Sequence, residues 1–145
     1  MRERLMAETR AAQKALNKPR LSALRLISAA LQDRDIATRA KLPDQEIPAL
    51  LHKMIKQRRE SLAIYEKAGR TEQAAQEATE IAVIEEFLPE QMDEAETLEA
   101  IAAVIKELVA TSPKEMGKVM GALKERYAGQ MDFGKVSGLV KERLG

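Results

Sequence analysis

The 145-residue sequence has no cysteine and no tryptophan, one histidine, and only 3% aromatic residues. Without cysteine there is no disulfide, no thiolate zinc site and no thiol nucleophile, which is compatible with a reducing compartment. With so few rings, any core must be built from Leu, Ile, Val, Met and Ala. No apolar run approaches the ~20 residues that a membrane-spanning helix needs. The opening "MRERLMAETRAAQKAL" is charged and amphipathic, without the continuous apolar region of a secretory signal. The expected location is the cytoplasm, with no membrane partner.

Catalytic signatures are also missing. There is no P-loop, no dinucleotide-binding glycine motif, no paired-histidine zinc motif and no nucleophile elbow. Amide-transfer chemistry needs an activated nucleophile with a base. His52 lies between Leu51 and Lys53 on a helical stretch and reads as a surface or boundary residue. Ser61 reads as a helix-surface residue and Ser112 as a helix cap. The carboxylates of residues 72–107 follow helix-surface spacing and read as a solvated acidic face. No catalytic residue, metal site or cofactor is expected.

What is present is charge and helical periodicity. Hydrophobic residues make up 45% of the chain and charged residues 32%, a balance that suits a globular protein. The net charge of +1 conceals segregation: residues 1–70 carry +8, residues 71–110 carry −10 and residues 111–145 carry +3. Either the acidic middle pairs with the basic ends or stays solvated, or the basic ends face a polyanion.

Apolar residues recur with a period near 3.6 almost throughout, which predicts an all-α fold. A first helix aligns Leu5, Thr9, Ala12 and Leu16. A second starts with Pro19 at its first position and aligns Leu21, Leu24, Ile27 and Leu31. Asp44 is the expected cap of a third, with Ile47, Leu51, Met54, Leu62 and Tyr65 on one face and Gly69 just past its end. A fourth starts at Thr71 and aligns Ala74, Ala78, Ile81 and Ile84. "LPEQM" at 88–92 reads as a linker because Pro89 stops the helix. Beyond it, Asp93 and Glu96 form a capping pattern, Ser112-Pro113-Lys114-Glu115 a capping box, and Asp132 can cap a last helix. The expected organisation is a four-helix lobe at 1–88, a linker at 89–92 and a three-helix lobe at 93–145. No repeat at a fixed period is seen.

One stretch raises a specific question. In "PKEMGKVMGALKERYAG" (113–129), Met116, Val119, Met120, Leu123 and Tyr127 form a core stripe. Gly117 and Gly121 fall on the neighbouring stripe, although each glycine costs a helix interior about 1 kcal/mol relative to alanine. Either another helix packs closely there or a ligand does. Lys114 and Lys124 bracket the glycines and Lys118 lies beside them. The last helix repeats the device with Gly134, Gly138, Lys135 and Lys141. A sugar–phosphate backbone could approach the bare helix while the lysines meet its phosphates. Lys56 and Arg59, in "KMIKQRRES", are further phosphate candidates. Arg58 falls on the apolar stripe of the third helix and is expected to pair with Glu80 or Glu77.

"KEMGKVMGAL" followed by "DFGKV" and "VKERL" resembles the C-terminal part of the GatB/YqeY family. The similarity extends through "KQRRESLAIYEKAGRTEQAAQEATEIAVIEEFLPEQM" and "RLSALRLISAAL", nearly the whole chain, with no synthetase- or amidase-like domain attached. "AGQMDFGKV" departs from the family's shorter turn, and Pro43 stands where a Ser/Thr-type cap is more usual. The resemblance implies an all-α fold and kinship with the tail of the GatB subunit of the glutamine-dependent tRNA amidotransferase, a tail associated with holding tRNA. The expected partner is therefore tRNA or another structured RNA. Two alternatives stay open. One is an accessory subunit that docks on an amidotransferase, an aminoacyl-tRNA synthetase or a ribosomal assembly. The other is a carbon–nitrogen ligase using glutamine as amido donor, the label that the family passes on.

Overall fold

A computed structural model describes residues 1–145 as seven α-helices without a strand. They are α1 (Arg2–Lys14), α2 (Lys18–Thr38), α3 (Ile47–Lys67), α4 (Thr71–Glu85), α5 (Glu94–Leu108), α6 (Met116–Arg126) and α7 (Phe133–Leu144). Short 3-10 turns at Asp44–Glu46 and Pro113–Glu115 precede α3 and α6. The chain divides into two compact units, Met1–Leu88 and Pro89–Gly145. No helix is long and apolar enough to cross a membrane.

Each unit has its own core. In the first, Leu24, Ile27, Leu31, Ile47, Leu51, Ile84 and Phe87 are almost wholly buried. The stripes on α2, α3 and α4 supply all but Phe87, as the periodicity requires, and Phe87 enters from the turn after α4. Full burial of side chains of this size contributes about 1.5–3 kcal/mol each. Arg4 stacks 4.8 Å above the Phe87 ring and donates to the Glu86 carbonyl, which ties α1 to the end of α4. In the second unit Ile101, Val104, Val119, Leu123, Val136 and Val140 form the core, with Met131 filling it from the turn before α7.

Several local expectations are met. Asp93 accepts from Glu96 N–H at 2.7 Å and Asp132 from Gly134 N–H at 3.1 Å, each capping its helix. Gly69 ends α3 with φ +72°. Tyr127 is half-buried against the second core.

Others are corrected. Leu16 does not continue the α1 stripe: it lies past the helix end at φ +55° and is 82% exposed. Pro19 is the second residue of α2, and Asn17 is its cap. Asp44 opens a 3-10 turn and does not cap α3, whose Pro48 is tolerated in the first turn because no intrahelical N–H bond exists there. Ala78 is exposed. Ser112 makes no capping bond, and Glu115 accepts from Thr111 N–H at 2.6 Å, one residue earlier than a capping box requires.

The acidic middle of the sequence behaves in two ways. Two carboxylates of α4 and one just past its end pair internally: Glu80 with Arg58 at 3.1 Å, Glu85 with Arg59 at 3.0 Å, and Glu86 with Arg20 at 2.6 Å, whereas Glu72 and Glu77 make no ion pair. On α5, Glu107 alone is paired, with Arg126. Glu94, Glu96 and Glu99 are exposed and make no ion pair.

Candidate nucleic-acid interface

The core stripe of α6 dictates what its opposite side presents. Val119 and Leu123 are buried, with Met116, Met120 and Tyr127 packed beside them. At about 100° per residue, Gly117, Gly121 and Lys124 therefore fall on one outward face, with Lys118 at its edge. All four are exposed. On α7, Val136 and Val140 hold the core side, while Gly134, Lys135, Gly138 and Lys141 are exposed.

The decisive geometry is what surrounds the glycines. A Cβ built on Gly117, Gly121 or Gly138 meets nothing within 4 Å. None of the three has a positive φ, so none is needed for its backbone conformation. Their own unit therefore places no helix against these faces, and helix packing within the second unit is not the reason for the glycines. Gly134 differs, because an added Cβ there would lie 3.2 Å from the Asp132 carboxylate that caps the helix.

The lysines are unencumbered. Lys118, Lys124, Lys135 and Lys141 make no ion pair, nor does Lys114. Lys114 sits on the 3-10 turn before α6, so the α-helical register that would align it with Gly117 does not extend to it. In the first unit, Lys56 is exposed without an ion pair, whereas Arg59 spends its guanidinium on Glu85. That pair is open to solvent on both sides and is worth little, so Arg59 can exchange partners at small cost.

Two ion pairs next to these candidates are structural. Arg58, half-buried, donates from Nε to Glu80 and from Nη1 to the Met54 carbonyl. Glu77 lies in the same cluster with Oε2 buried and without a hydrogen-bond partner. Burial pushes the Glu77 carboxyl up, the Glu80 charge adds to this, and Arg58 opposes it. In the second unit Arg126 grips both Glu107 oxygens at 2.6 Å, which ties α6 to α5 and holds Glu107 below the ordinary carboxylate range. No three His, Asp or Glu side chains gather into a set that could hold a metal ion.

One feature of the sequence becomes visible only when α6 and α7 are set side by side. Residues 116–127, "MGKVMGALKERY", and 133–144, "FGKVSGLVKERL", are identical at seven of twelve positions. The shared residues are Gly-Lys-Val, Gly and Lys-Glu-Arg. Val119 and Val136 occupy equivalent buried places, as do Leu123 and Val140. The two helices are thus copies of one element, and each copy carries a glycine pair, two lysines and a glutamate.

A family model described as Yqey-like protein matches residues 2–144. No curated protein matches the chain.

Proposed function

We propose, on the premise that the chain belongs to the YqeY-like protein family, that it is a non-catalytic module binding structured RNA, with tRNA the foremost ligand. The observation that carries this reading is the open glycine face. Gly117, Gly121 and Gly138 each cost helix stability, and no neighbour within their own unit occupies the space they leave. Unpaired lysines border that space. A bare helix face with flanking ammonium groups suits a sugar–phosphate backbone, which must come close and which pairs with cations. The resemblance to the tail of the GatB subunit supports tRNA in particular. Recognition would be by backbone and shape, since no exposed aromatic lies among these residues to stack on a base.

Lys118, Lys124, Lys135 and Lys141 would each meet a phosphate, with Lys114 at the margin. With four such contacts, log K for tRNA falls against log salt with a slope of about −3 to −4. Lys118→Ala with Lys135→Ala reduces that slope by about two, without changing the melting temperature, because both side chains are exposed and unpaired. A slope and affinity unchanged in the double variant would remove the lysines from the interface.

A further inference from the structure

We infer that the two units swing about one joint, between Leu88 and Pro89, and that the Gln91 side chain makes residues 89–92 a fixed strap of the second unit instead of a slack tether. The first unit keeps its hold up to Leu88. Past the end of α4, Phe87 N–H donates to the Ile84 carbonyl and Leu88 N–H to the Glu85 carbonyl, each at 3.1 Å. Phe87 is 2% exposed, and Leu88 packs against the same core. Arg20 holds the Glu86 carboxylate, and Arg4 holds its carbonyl.

The second unit takes hold at the next residue. Gln91 Nε2 donates to the Pro89 carbonyl at 2.7 Å and to the Gly129 carbonyl at 2.6 Å. A side-chain amide nitrogen carries two hydrogens, so one glutamine can serve both carbonyls. Met92 N–H donates to the Gln130 carbonyl at 3.0 Å, and the Met92 side chain packs against the second core. Asp93 then caps α5. The receiving turn is itself firm. Gln130 N–H closes it on the Tyr127 carbonyl at 3.0 Å, and Gly129 is buried within it at φ +77°. It lies between α6 and α7, so the strap moves with the two copied helices as part of one body.

Little rotational freedom is left at the joint. The proline ring fixes its own φ at about −65°. A residue that precedes proline is confined to extended ψ, which limits Leu88. Leu88 N–H is already bonded on one side, and the Pro89 carbonyl is bonded on the other. The soft rotation that remains is a narrow one, about the Leu88 Cα–C bond. Four free residues would let the units tumble almost independently, whereas this joint lets two rigid bodies swing through a restricted range.

The test is ¹⁵N relaxation with residual dipolar couplings on the full chain. In the wild type the amides of Glu90, Gln91 and Met92 are expected to be as ordered as those of α5, with order parameters of about 0.85. The two units are expected to show unequal alignment, the mark of a moving joint. Gln91→Glu keeps the shape but turns a donor into an acceptor facing two carbonyls. It should drop those order parameters below about 0.6 and widen the difference in alignment, with no change in the melting temperature of either unit, because Gln91 is exposed. Three results would overturn the inference. One is a strap already below about 0.6 in the wild type, which is a slack tether. Another is a strap whose order the Gln91→Glu change leaves intact. The third is a single alignment shared by both units, which means that no joint moves.

Discussion

Val109 shows what a single residue can reveal about the balance between fold and surface. It stands at φ +52° at the end of α5 and is 73% exposed, and Leu16 stands at φ +55° at the end of α1 and is 82% exposed. The left-handed region costs an L-residue roughly 1–2 kcal/mol, and glycine is the usual occupant. Val109→Gly is therefore expected to stabilise the second unit by about 1 kcal/mol, read from chemical denaturation. The helix glycines argue in the opposite direction. Gly117→Ala and Gly121→Ala fill empty space on a helical backbone, so each should add about 0.5–1 kcal/mol. A loss of stability in either would mean that a neighbour occupies the face after all.

Charges also act at this scale, with opposite signs at two sites. Arg2 donates to both oxygens of Asp35 at 2.9–3.0 Å and Leu42 N–H donates at 2.8 Å, which holds the Asp35 carboxyl below its ordinary range. A carboxylate depressed by folding contributes stability above its unfolded value and loses it as pH falls through the folded one. Asp35→Asn should thus lower the melting temperature at neutral pH, and the difference should vanish in acid. Glu77 is shifted the other way, chiefly by burial, so its charge costs stability at neutral pH. Glu77→Gln should raise the melting temperature at pH 7, with a gain that shrinks as acid protonates the wild-type group.

At the scale of elements, the cores decide which helices are irreplaceable. Ile101 is fully buried on α5 and packs in the core that α6 and α7 share. Ile101→Ala should cost about 2–5 kcal/mol, enough to unfold a small unit at moderate temperature. Retention of cooperative melting with an unchanged midpoint would contradict that placement. The helices themselves were legible from the sequence because their apolar period is strong and their starts carry Asp93 and Asp132. The Arg58–Glu80 pair was legible too, since a charged residue on an apolar stripe must find a partner. Less was legible where backbone geometry outran side-chain type. Ser112 and Asp44 have the right chemistry for caps, yet a 3-10 turn intervenes before each helix and takes the N–H groups out of reach. Leu16 has the right spacing for a core residue, but its backbone has already left the helix. The copied element in α6 and α7 was present in the letters all along. Reading each helix for its own stripe hides it, because the copy appears only when two helices are compared residue by residue.

The whole molecule is two units with separate cores, and nothing in the first core comes from beyond Leu88. Residues 1–88 alone are expected to keep a helical circular dichroism spectrum and a cooperative melt. An unfolded fragment would show that the second unit supplies stability to the first. Charge is arranged at this scale as well: Glu80, Glu85 and Glu86 at the C-terminal half and end of α4 pair with arginines of α2 and α3, whereas the lysines of α6 and α7 remain unpaired. Whether the open faces of those two helices receive RNA is tested most directly by filling them. The measurement is tRNA affinity, together with the melting temperature, of the chain carrying Gly117→Leu and Gly138→Leu. The expected result is a fold at least as stable as the wild type and an affinity reduced by tenfold or more. Unchanged tRNA binding by a folded double variant would contradict the account.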